Sequence, residues 1–281
     1  MKVAIASGKG GTGKTTIATS LALSWDEVTL LDCDVEGPNA HLLLHPEIER
    51  SAQVTVPVPR LREEDCNYCG ACADFCRSHA LAVVPGKWMI FDQLCHACGG
   101  CSLVCPTRAI YEVDRRIGEV RFGHAGSIRF VQGELDAGEA HPIPVIEDVL
   151  KEVDDRVDVI IDSPPGTNCS MIEVAKAADV VLLVTEPTPF GLHDLTLAVE
   201  ALKGINRPAA ILVNRADWGT GEVHQYATRE GIPVVLEIPH LLAVAEGYAR
   251  SRPLVESAPD LRQDLVALRD TLVRTIRERA A

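Results

Sequence analysis

The chain has 281 residues, of which 47% are hydrophobic, and its formal net charge is −13. This length can bury one large core, or a core with a small second domain. The negative net charge disfavours nucleic acid and anionic lipid as partners, because phosphate groups bind positive surfaces. No apolar run approaches the ~18 residues of a membrane span, and the N-terminus is unlike a secretory signal, so we expect a cytoplasmic protein with no membrane partner.

Apolar segments alternate with helical segments along most of the chain. This pattern is typical of a mainly parallel sheet covered by helices on both faces. The predicted strands are 2–7, 28–34, 157–162, 179–185, 209–214 and 233–238. The predicted helices are 14–25, 146–153, 172–177, 192–202 and 224–230.

The last segment, residues 260–281, has an apolar stripe at helical spacing. The stripe consists of Leu261, Leu265, Leu268, Leu272 and Ile276. The opposite face mixes arginines with aspartates, so we expect a helix that packs on the domain. A membrane-surface helix is the alternative.

The alternation stops between about residues 56 and 122, a segment that contains eight of the ten cysteines. Two runs within it repeat, because Cys95 begins a copy of the pattern that begins at Cys66. We therefore predict a P-loop domain in two parts, 1–55 and 123–281, with an inserted domain at 56–122. Residues 118–135 are expected to form a β-hairpin that leads back to the sheet.

Both cysteine runs have the spacing C-x₂-C-x₂-C-x₃-C, which is typical of bacterial two-cluster ferredoxins. In that arrangement three cysteines of one run and the fourth of the other hold each 4Fe–4S cluster. The predicted ligands are Cys66, Cys69, Cys72 and Cys105 for cluster 1, and Cys76, Cys95, Cys98 and Cys101 for cluster 2. Zinc is the alternative, because Cys-x₂-Cys pairs also bind zinc. The segment resembles those ferredoxins but has Arg77 where the first run would have its proline.

A glycine loop follows the first predicted strand. Gly8, Gly13, Lys14 and Thr15 match the phosphate-binding pattern G-x-x-x-x-G-K-[ST]. Its backbone N–H groups face the phosphates, Lys14 reaches the β and γ oxygens, and the Thr15 hydroxyl binds Mg²⁺. The strand before the loop and the helix after it supply the context that this motif requires.

The loop "GKGGTGKTT" resembles the deviant Walker A loop of the MinD, ParA and nitrogenase iron protein class of ATPases, in which an extra lysine crosses a dimer interface. The resemblance implies that Lys9 takes this catalytic role in a nucleotide-dependent dimer with a second copy or a closely related paralogue. It also implies that Asp34 positions the attacking water, that Asp32 lies near Mg²⁺ and that Asp162 holds Mg²⁺. The implied nucleotide-binding residues are Gly8, Gly10, Gly11, Thr12, Gly13, Lys14, Thr15, Thr16, Asn214 and Pro239.

The base is expected to be adenine. The segment 214–217, Asn-Arg-Ala-Asp, is similar to the guanine-binding pattern Asn-Lys-x-Asp but has an arginine in place of the lysine. In the ATPases that the loop resembles, an asparagine at this strand end binds adenine, which implies that role for Asn214. GTP is the alternative.

Two cysteines lie outside the runs. Cys33 is expected in the core, where small thiols are common. Cys169 lies seven residues after Asp162, in a region where the nitrogenase iron protein has a cluster ligand. We expect an unliganded switch thiol, with a metal site or thiol pair shared between two copies as the alternative.

The whole chain resembles MinD-type ATPases with an inserted ferredoxin domain. This resemblance implies ATP, Mg²⁺ and two 4Fe–4S clusters as cofactors. Three functions remain open: ATP-gated electron transfer to an unknown redox partner, an ATPase for iron–sulfur or metallocluster assembly or insertion, and a redox-sensing ATPase that recruits a partner. We expect the first. Two clusters on one chain favour electron transfer over cluster assembly, because assembly scaffolds usually need labile, exposed cysteines.

Overall fold

Strands and helices alternate along the chain in a computed structural model, which describes residues 1–219 and 221–280. The strands are β1 (Lys2–Ala6), β2 (Val28–Asp32), β3 (Glu47–Leu61), β4 (Leu81–Val84), β5 (Lys87–Ile90), β6 (Ile110–Ala125), β7 (Ile128–Leu135), β8 (Asp158–Asp162), β9 (Val180–Thr185), β10 (Ala209–Asn214) and β11 (Val234–Ile238). The helices are α1 (Lys14–Ala22), α2 (His41–Leu44), α3 (Ala71–Phe75), α4 (Gly100–Val104), α5 (Ile143–Leu150), α6 (Cys169–Ala177), α7 (Pro189–Lys203), α8 (Glu222–Glu230), α9 (Leu242–Tyr248), α10 (Leu254–Ser257) and α11 (Arg262–Ala280).

One nine-stranded sheet organises the fold, in the order β11-β10-β9-β1-β8-β2-β7-β6-β3. The strands from β11 to β7 are parallel, and β6 and β3 continue the sheet antiparallel. Residues of α5, α6, α7 and α8 pack on one face, and residues of α1 and α11 pack on the other. The predicted α/β architecture is confirmed, and its central strands are apolar because both of their faces are buried.

The edge strand β3 was not predicted from the sequence, and it contains Pro57 and Pro59, which lack the N–H groups that a central strand needs. An edge strand tolerates prolines, and β3 pairs with β6 alone. The predicted limits of the inserted domain, 56 and 122, fall inside β3 and β6. Between these two strands the chain is outside the main sheet over residues 62–109. The predicted hairpin 118–135 is confirmed, because β6 pairs with β7 from Gly118 opposite Leu135 to the turn.

Several predicted helices begin earlier in the structure. The helix expected at 172 begins at Cys169, because the Asn168 side chain accepts a hydrogen bond from the Met171 N–H at 3.3 Å and caps it. The helix expected at 192 begins at Pro189, where Thr188 caps the first turn in the same way. The helix expected to reach residue 25 ends at Ala22.

The C-terminal helix α11 packs on the domain, as expected. Leu265, Leu268 and Leu272 are buried in the core that α1 also lines. The Trp25 indole N–H donates to the Leu265 carbonyl at 2.9 Å, and Arg269 pairs with Asp158 at 2.5 Å. Ala281 lies outside the described residues. In residues 1–219 and 221–280, none of the helices has the length and apolar character needed to cross a membrane.

Candidate functional site

The glycine loop joins the end of β1 to the start of α1. Gly11 and Gly13 have φ values of 80° and 100°, a left-handed conformation that favours glycine. A side chain at Gly13 would also come within 2.7 Å of the Asn214 amide nitrogen. Glycine is therefore required for both conformation and close packing, and Lys14 is placed at the first turn of α1.

A cavity of about 390 Å³ opens above this loop. It is lined by the predicted nucleotide-binding residues Gly10, Gly11, Gly13, Lys14, Thr15, Thr16, Asn214 and Pro239, and by the predicted catalytic residue Asp34. Gly8, Lys9 and Thr12 line a separate crevice under the loop. The cavity is also lined by Pro165, Arg215, Ile238, His240, Leu241, Val244 and Ala245, and by three residues that sequence reasoning missed, Asn39, Tyr248 and Leu254.

Two carboxylates are fully buried beside the cavity, at the ends of neighbouring strands. Asp32 and Asp162 are register partners in β2 and β8. The Thr15 hydroxyl donates to Asp162 Oδ2 at 2.6 Å, whereas Asp162 Oδ1 has no hydrogen-bond partner among the described residues. The backbone N–H groups of Asp34 and Ala40 donate to Asp32 at 3.2 and 3.1 Å. A threonine hydroxyl and an orphaned carboxylate oxygen are hard ligands of the kind that Mg²⁺ prefers.

Burial dominates the titration of this group. It raises the pKa of Asp162 to about 7, against the opposing effects of Thr15 and Lys14. Burial likewise raises the pKa of Asp34 to about 6 and raises that of Asp32 well above its usual value. The pKa of Lys14 is lowered, also by burial. A divalent cation would relieve this concentration of buried negative charge.

Lys9 contacts its own chain. Its Nζ lies 3.6 Å from Glu186 Oε2, and Glu186 also pairs with Arg215. Glu186 is buried and was not predicted as a site residue. The sequence signal that could have identified it is its position directly after β9, because ligands bind at the carboxyl ends of parallel strands. The predicted contact of Lys9 with a partner subunit stays a prediction.

The far end of the cavity holds the segment that resembles the guanine-binding pattern. The Asn214 amide donates to the Thr12 carbonyl at 2.8 Å, so in this conformation it ties β10 to the glycine loop. Asp217 Oδ1 accepts the His240 backbone N–H at 2.5 Å, and Trp218 stacks on the His240 ring with centroids 4.8 Å apart. Asp217 is therefore engaged at one carboxylate oxygen, and the choice of adenine over guanine stays a prediction.

The cysteine segment repeats in structure as it does in sequence. Helices α3 and α4 lie at equivalent places in the two runs, as do the 3₁₀ turns Glu63–Asp65 and Asp92–Leu94. The left-handed residues also repeat, in the pairs Tyr68 and Ala97, Gly70 and Gly99, and His79 and Arg108. The two runs therefore have the same backbone path.

The eight cysteines divide between two cavities. Site 1 is a crevice of about 20 Å³ that includes Cys66, Cys69, Cys72 and Cys105. Site 2 is a cavity of about 470 Å³ that includes Cys76, Cys95, Cys98 and Cys101. Each site thus contains three cysteines of one run and the fourth of the other. In residues 1–219 and 221–280, no group of three or more His, Cys, Asp or Glu side chains converges tightly enough to hold one metal ion.

The other two cysteines lie on the nucleotide side. Cys33 is fully buried, as expected, and burial raises the pKa of its thiol. Cys169 is exposed at the start of α6. Its predicted role as a switch thiol stays a prediction.

Residues 3–254 match the sequence profile of the CobQ/CobB/MinD/ParA nucleotide-binding domain. The chain belongs to this family. It is 33% identical over 249 residues to an uncharacterized protein of Methanocaldococcus jannaschii, which covers 86% of this chain and 88% of the relative. It is 25% identical to an iron-sulfur cluster carrier protein of Pyrococcus horikoshii, over 99% of this chain and 87% of the relative.

Solved structures support the same fold. The septum site-determining protein MinD of Pyrococcus horikoshii, in complex with Mg-ADP, matches with a TM-score of 0.58 and 17% identity, over 96% of this chain and 95% of that one. MinD of Pyrococcus furiosus matches with a TM-score of 0.58 and 18% identity, over 97% and 99%. At this identity the likeness concerns the fold alone, which confirms the predicted P-loop architecture.

Proposed function

We propose that this chain is a Mg²⁺-dependent ATPase that holds two 4Fe–4S clusters and couples its nucleotide state to electron transfer. The observation that carries the proposal is the division of eight cysteines into two crossed sets of four, on the same chain as a P-loop cavity. Residues 62–109 would form a ferredoxin-like module between the two parts of the ATPase domain. The clusters would supply one-electron redox chemistry.

The donor sets suit a cluster better than zinc. A zinc ion needs four sulfurs at ~2.3 Å from one point, and the described residues contain no such convergent group. A cubane takes one thiolate at each of its four iron corners, which is the number of cysteines at each of the two sites. The crossed division also matches the ligation pattern of two-cluster ferredoxins.

The nucleotide site would act through positioned charge. Lys14 would contact the β and γ oxygens, while Thr15 and Asp162 would hold Mg²⁺ directly or through water. Asp34 lines the cavity and would orient the attacking water. Lys9 would leave Glu186 and reach the nucleotide of a second copy, so that hydrolysis depends on dimerisation.

A continuous chain of contacts links the two sites. The Leu135 N–H at the end of β7 donates to the Val35 carbonyl at 2.9 Å, next to Asp34. Six residues later His141 packs its ring against His96, with centroids 3.9 Å apart, and His96 lines site 2. A nucleotide-driven shift of the segment after Asp34 would therefore pull on a loop that touches site 2.

A second contact supports this route. Arg115 of β6 pairs with Glu139 in the same loop. Its Nη2 also donates to the Asp92 carbonyl at 3.4 Å, in the turn that precedes Cys95. The loop 136–142 is therefore joined to the approach to site 2 by both a ring contact and an ion pair.

The test is an anaerobic redox titration with and without ATP, on an Asp34→Ala protein, which should bind ATP but hydrolyse it slowly. We expect about eight iron and eight sulfide per chain and a potential that shifts with ATP. Reduction must then change ATP affinity by the same free energy, ~1–3 kcal/mol for a typical coupling. Equal potentials and equal affinities would contradict the coupling, and zinc in place of iron would contradict the cluster assignment.

A second candidate function is cluster delivery. It is favoured by the likeness to iron-sulfur cluster carrier proteins and by the exposure of Cys69 and Cys98, because a transferable cluster needs accessible ligands. Incubation of the loaded protein with an apo-ferredoxin distinguishes the two functions. Transfer of iron and sulfide supports delivery, whereas electron transfer with the clusters retained supports the redox role.

A further inference from the structure

Two buried hydrogen-bond donors beside the cysteine sites have no hydrogen-bond partner. They are the indole N–H of Trp88 and the hydroxyl of Ser102, each orphaned among the residues that the structure describes. An orphaned buried donor destabilises the folded protein, because it has lost its hydrogen bond to water. The cost is removed if the donor faces an acceptor that arrives with a bound group, such as a metal-bound thiolate.

Two side-chain hydroxyls that contact ligand sulfurs lie at equivalent positions of the internal repeat. The Ser78 hydroxyl lies 3.4 Å from Cys76 Sγ, and the Thr107 hydroxyl lies 3.6 Å from Cys105 Sγ. These contacts lie at equivalent positions of the two runs, one at each site. They therefore act on both clusters alike and do not make the sites differ.

Trp88 breaks this symmetry. It lies on β5 and lines site 1, whereas the residue 29 positions later, Ile117, is buried in the main core. Trp88 packs against the buried cluster of side chains that contains Cys72, and its indole nitrogen has no hydrogen-bond partner among the described residues. An indole N–H can only donate a hydrogen bond, so at site 1 it can interact only with an acceptor such as a thiolate sulfur.

Site 2 has different polar neighbours. Ser102 directly follows Cys101 on α4, and its buried hydroxyl has no hydrogen-bond partner among the described residues. A hydroxyl rotates and both donates and accepts, so it is less committed to the sulfur than an indole N–H. Site 2 is also lined by one charge of each sign, Glu112 and Arg77, so the difference proposed between the sites rests on the sulfur-directed donors alone.

We propose that Trp88 is a positioning residue of site 1, which donates its indole N–H to Cys72 Sγ and makes the cluster of site 1 the easier of the two to reduce. Hydrogen bonds to ligand sulfurs are among the factors that set cluster potentials, because they stabilise the more negative, reduced state. The inference rests on the proposed cluster binding. The first electron from a low-potential one-electron donor then resides at site 1, with no bond made or broken and no proton moved.

Trp88→Phe tests this by removing the N–H while keeping an aromatic ring. The protein is titrated anaerobically with dithionite and followed by electron paramagnetic resonance. We expect two one-electron steps in the unchanged protein. In Trp88→Phe the reduction potential of the higher-potential step falls by ~59 mV, which is a tenfold change in the equilibrium constant for one electron. The potential of the lower step does not change.

Ser102→Ala is the matched control, because it removes the orphaned donor of site 2 and should leave the higher step unchanged. Cys98→Ser, which removes a ligand of site 2, should leave only the higher step and so assigns it to site 1. Iron and sulfide content is measured first for every variant. A protein without about eight iron contradicts the proposed function itself, whatever its potentials.

A measurement on the unchanged protein guards against a Trp88 variant that does not fold. The protein is reduced by one electron, transferred to D₂O and examined for an exchangeable deuteron coupled to the reduced cluster. Loss of that coupling in Trp88→Phe supports the inference. A higher step that does not move in a fully loaded Trp88→Phe protein, or that belongs to site 2, overturns it. If that variant does not fold, absence of a coupled deuteron in the unchanged protein overturns the inference as well.

Discussion

Replacing Asp162 with asparagine should stabilise the protein when metal and nucleotide are absent. The carboxyl is fully buried, accepts one hydrogen bond from Thr15 at 2.6 Å, and leaves Oδ1 without a partner among the described residues. Burial raises its pKa from 3.8 to about 7. An asparagine has nearly the same shape and needs no ionisation, so it avoids the free-energy cost of the buried charge.

The sign of the pH dependence follows from this shift. Between about pH 4 and pH 7 the folded protein keeps a proton on Asp162 that the unfolded chain has lost. Stability is therefore greatest at low pH and falls as the pH rises towards about 7. At ~1.4 kcal/mol per pKa unit, the full loss is ~4 kcal/mol, and ~2–3 kcal/mol of it falls between pH 5 and pH 8.

The assay is urea unfolding of the cluster-loaded protein in EDTA, at pH 5 and pH 8. From pH 5 to pH 8, the free energy of unfolding of the unchanged protein should fall by ~2–3 kcal/mol more than that of Asp162→Asn. Asp264→Asn, which changes an exposed carboxylate on α11, is the matched control and should follow the unchanged protein. Adding Mg²⁺ and ATP should stabilise the unchanged protein and not Asp162→Asn.

One result would refute the reasoning. If Asp162→Asn and the unchanged protein lose stability in parallel from pH 5 to pH 8, the buried carboxyl does not titrate in that range. If Mg²⁺ with ATP stabilises Asp162→Asn as strongly as the unchanged protein, Asp162 does not contribute to metal binding.

Three further predictions follow from the same contacts. Asp34→Ala should bind ATP, hydrolyse it slowly and accumulate as a dimer, and light scattering that finds only monomer at high ATP would contradict the dimer hypothesis. Gly13→Ala should weaken ATP binding in a calorimetric titration, because its φ of 100° is strained for alanine and the new methyl would lie 2.7 Å from Asn214. Leu268→Ala should lower the free energy of unfolding by ~2–5 kcal/mol, whereas Val266→Ala, 48% exposed on the same helix, should change it little in the same urea titration.

The parts of this protein that sequence reasoning predicted are those encoded by short, regular spacings. The glycine loop, the two cysteine runs and the apolar strands each depend on residues a few positions apart. Their backbone conformation is therefore decided locally, by glycine conformation and by strand periodicity. The stripe of α11 belongs with them, because a helix brings residues three and four apart to one face.

The limits of the cysteine segment lie where the sequence has no local signal. Pro57 and Pro59 argue against a central strand, and they are acceptable in β3 only because that strand lies at the edge of the sheet. Edge position depends on the order in which distant strands assemble, and no local pattern reports it. The limits drawn at 56 and 122 therefore cut through β3 and β6.

Contacts between distant residues came only from the folded chain. Glu186 meets Lys9, Asp217 meets the backbone of His240, and the end of β7 meets Val35. Each joins segments more than 20 residues apart in sequence, at the carboxyl edge where parallel strands end together. Local spacing in the sequence determines which motifs the chain has. The order of the strands in the sheet decides which of their side chains face one another, because that order sets the distance between residues that are far apart in sequence.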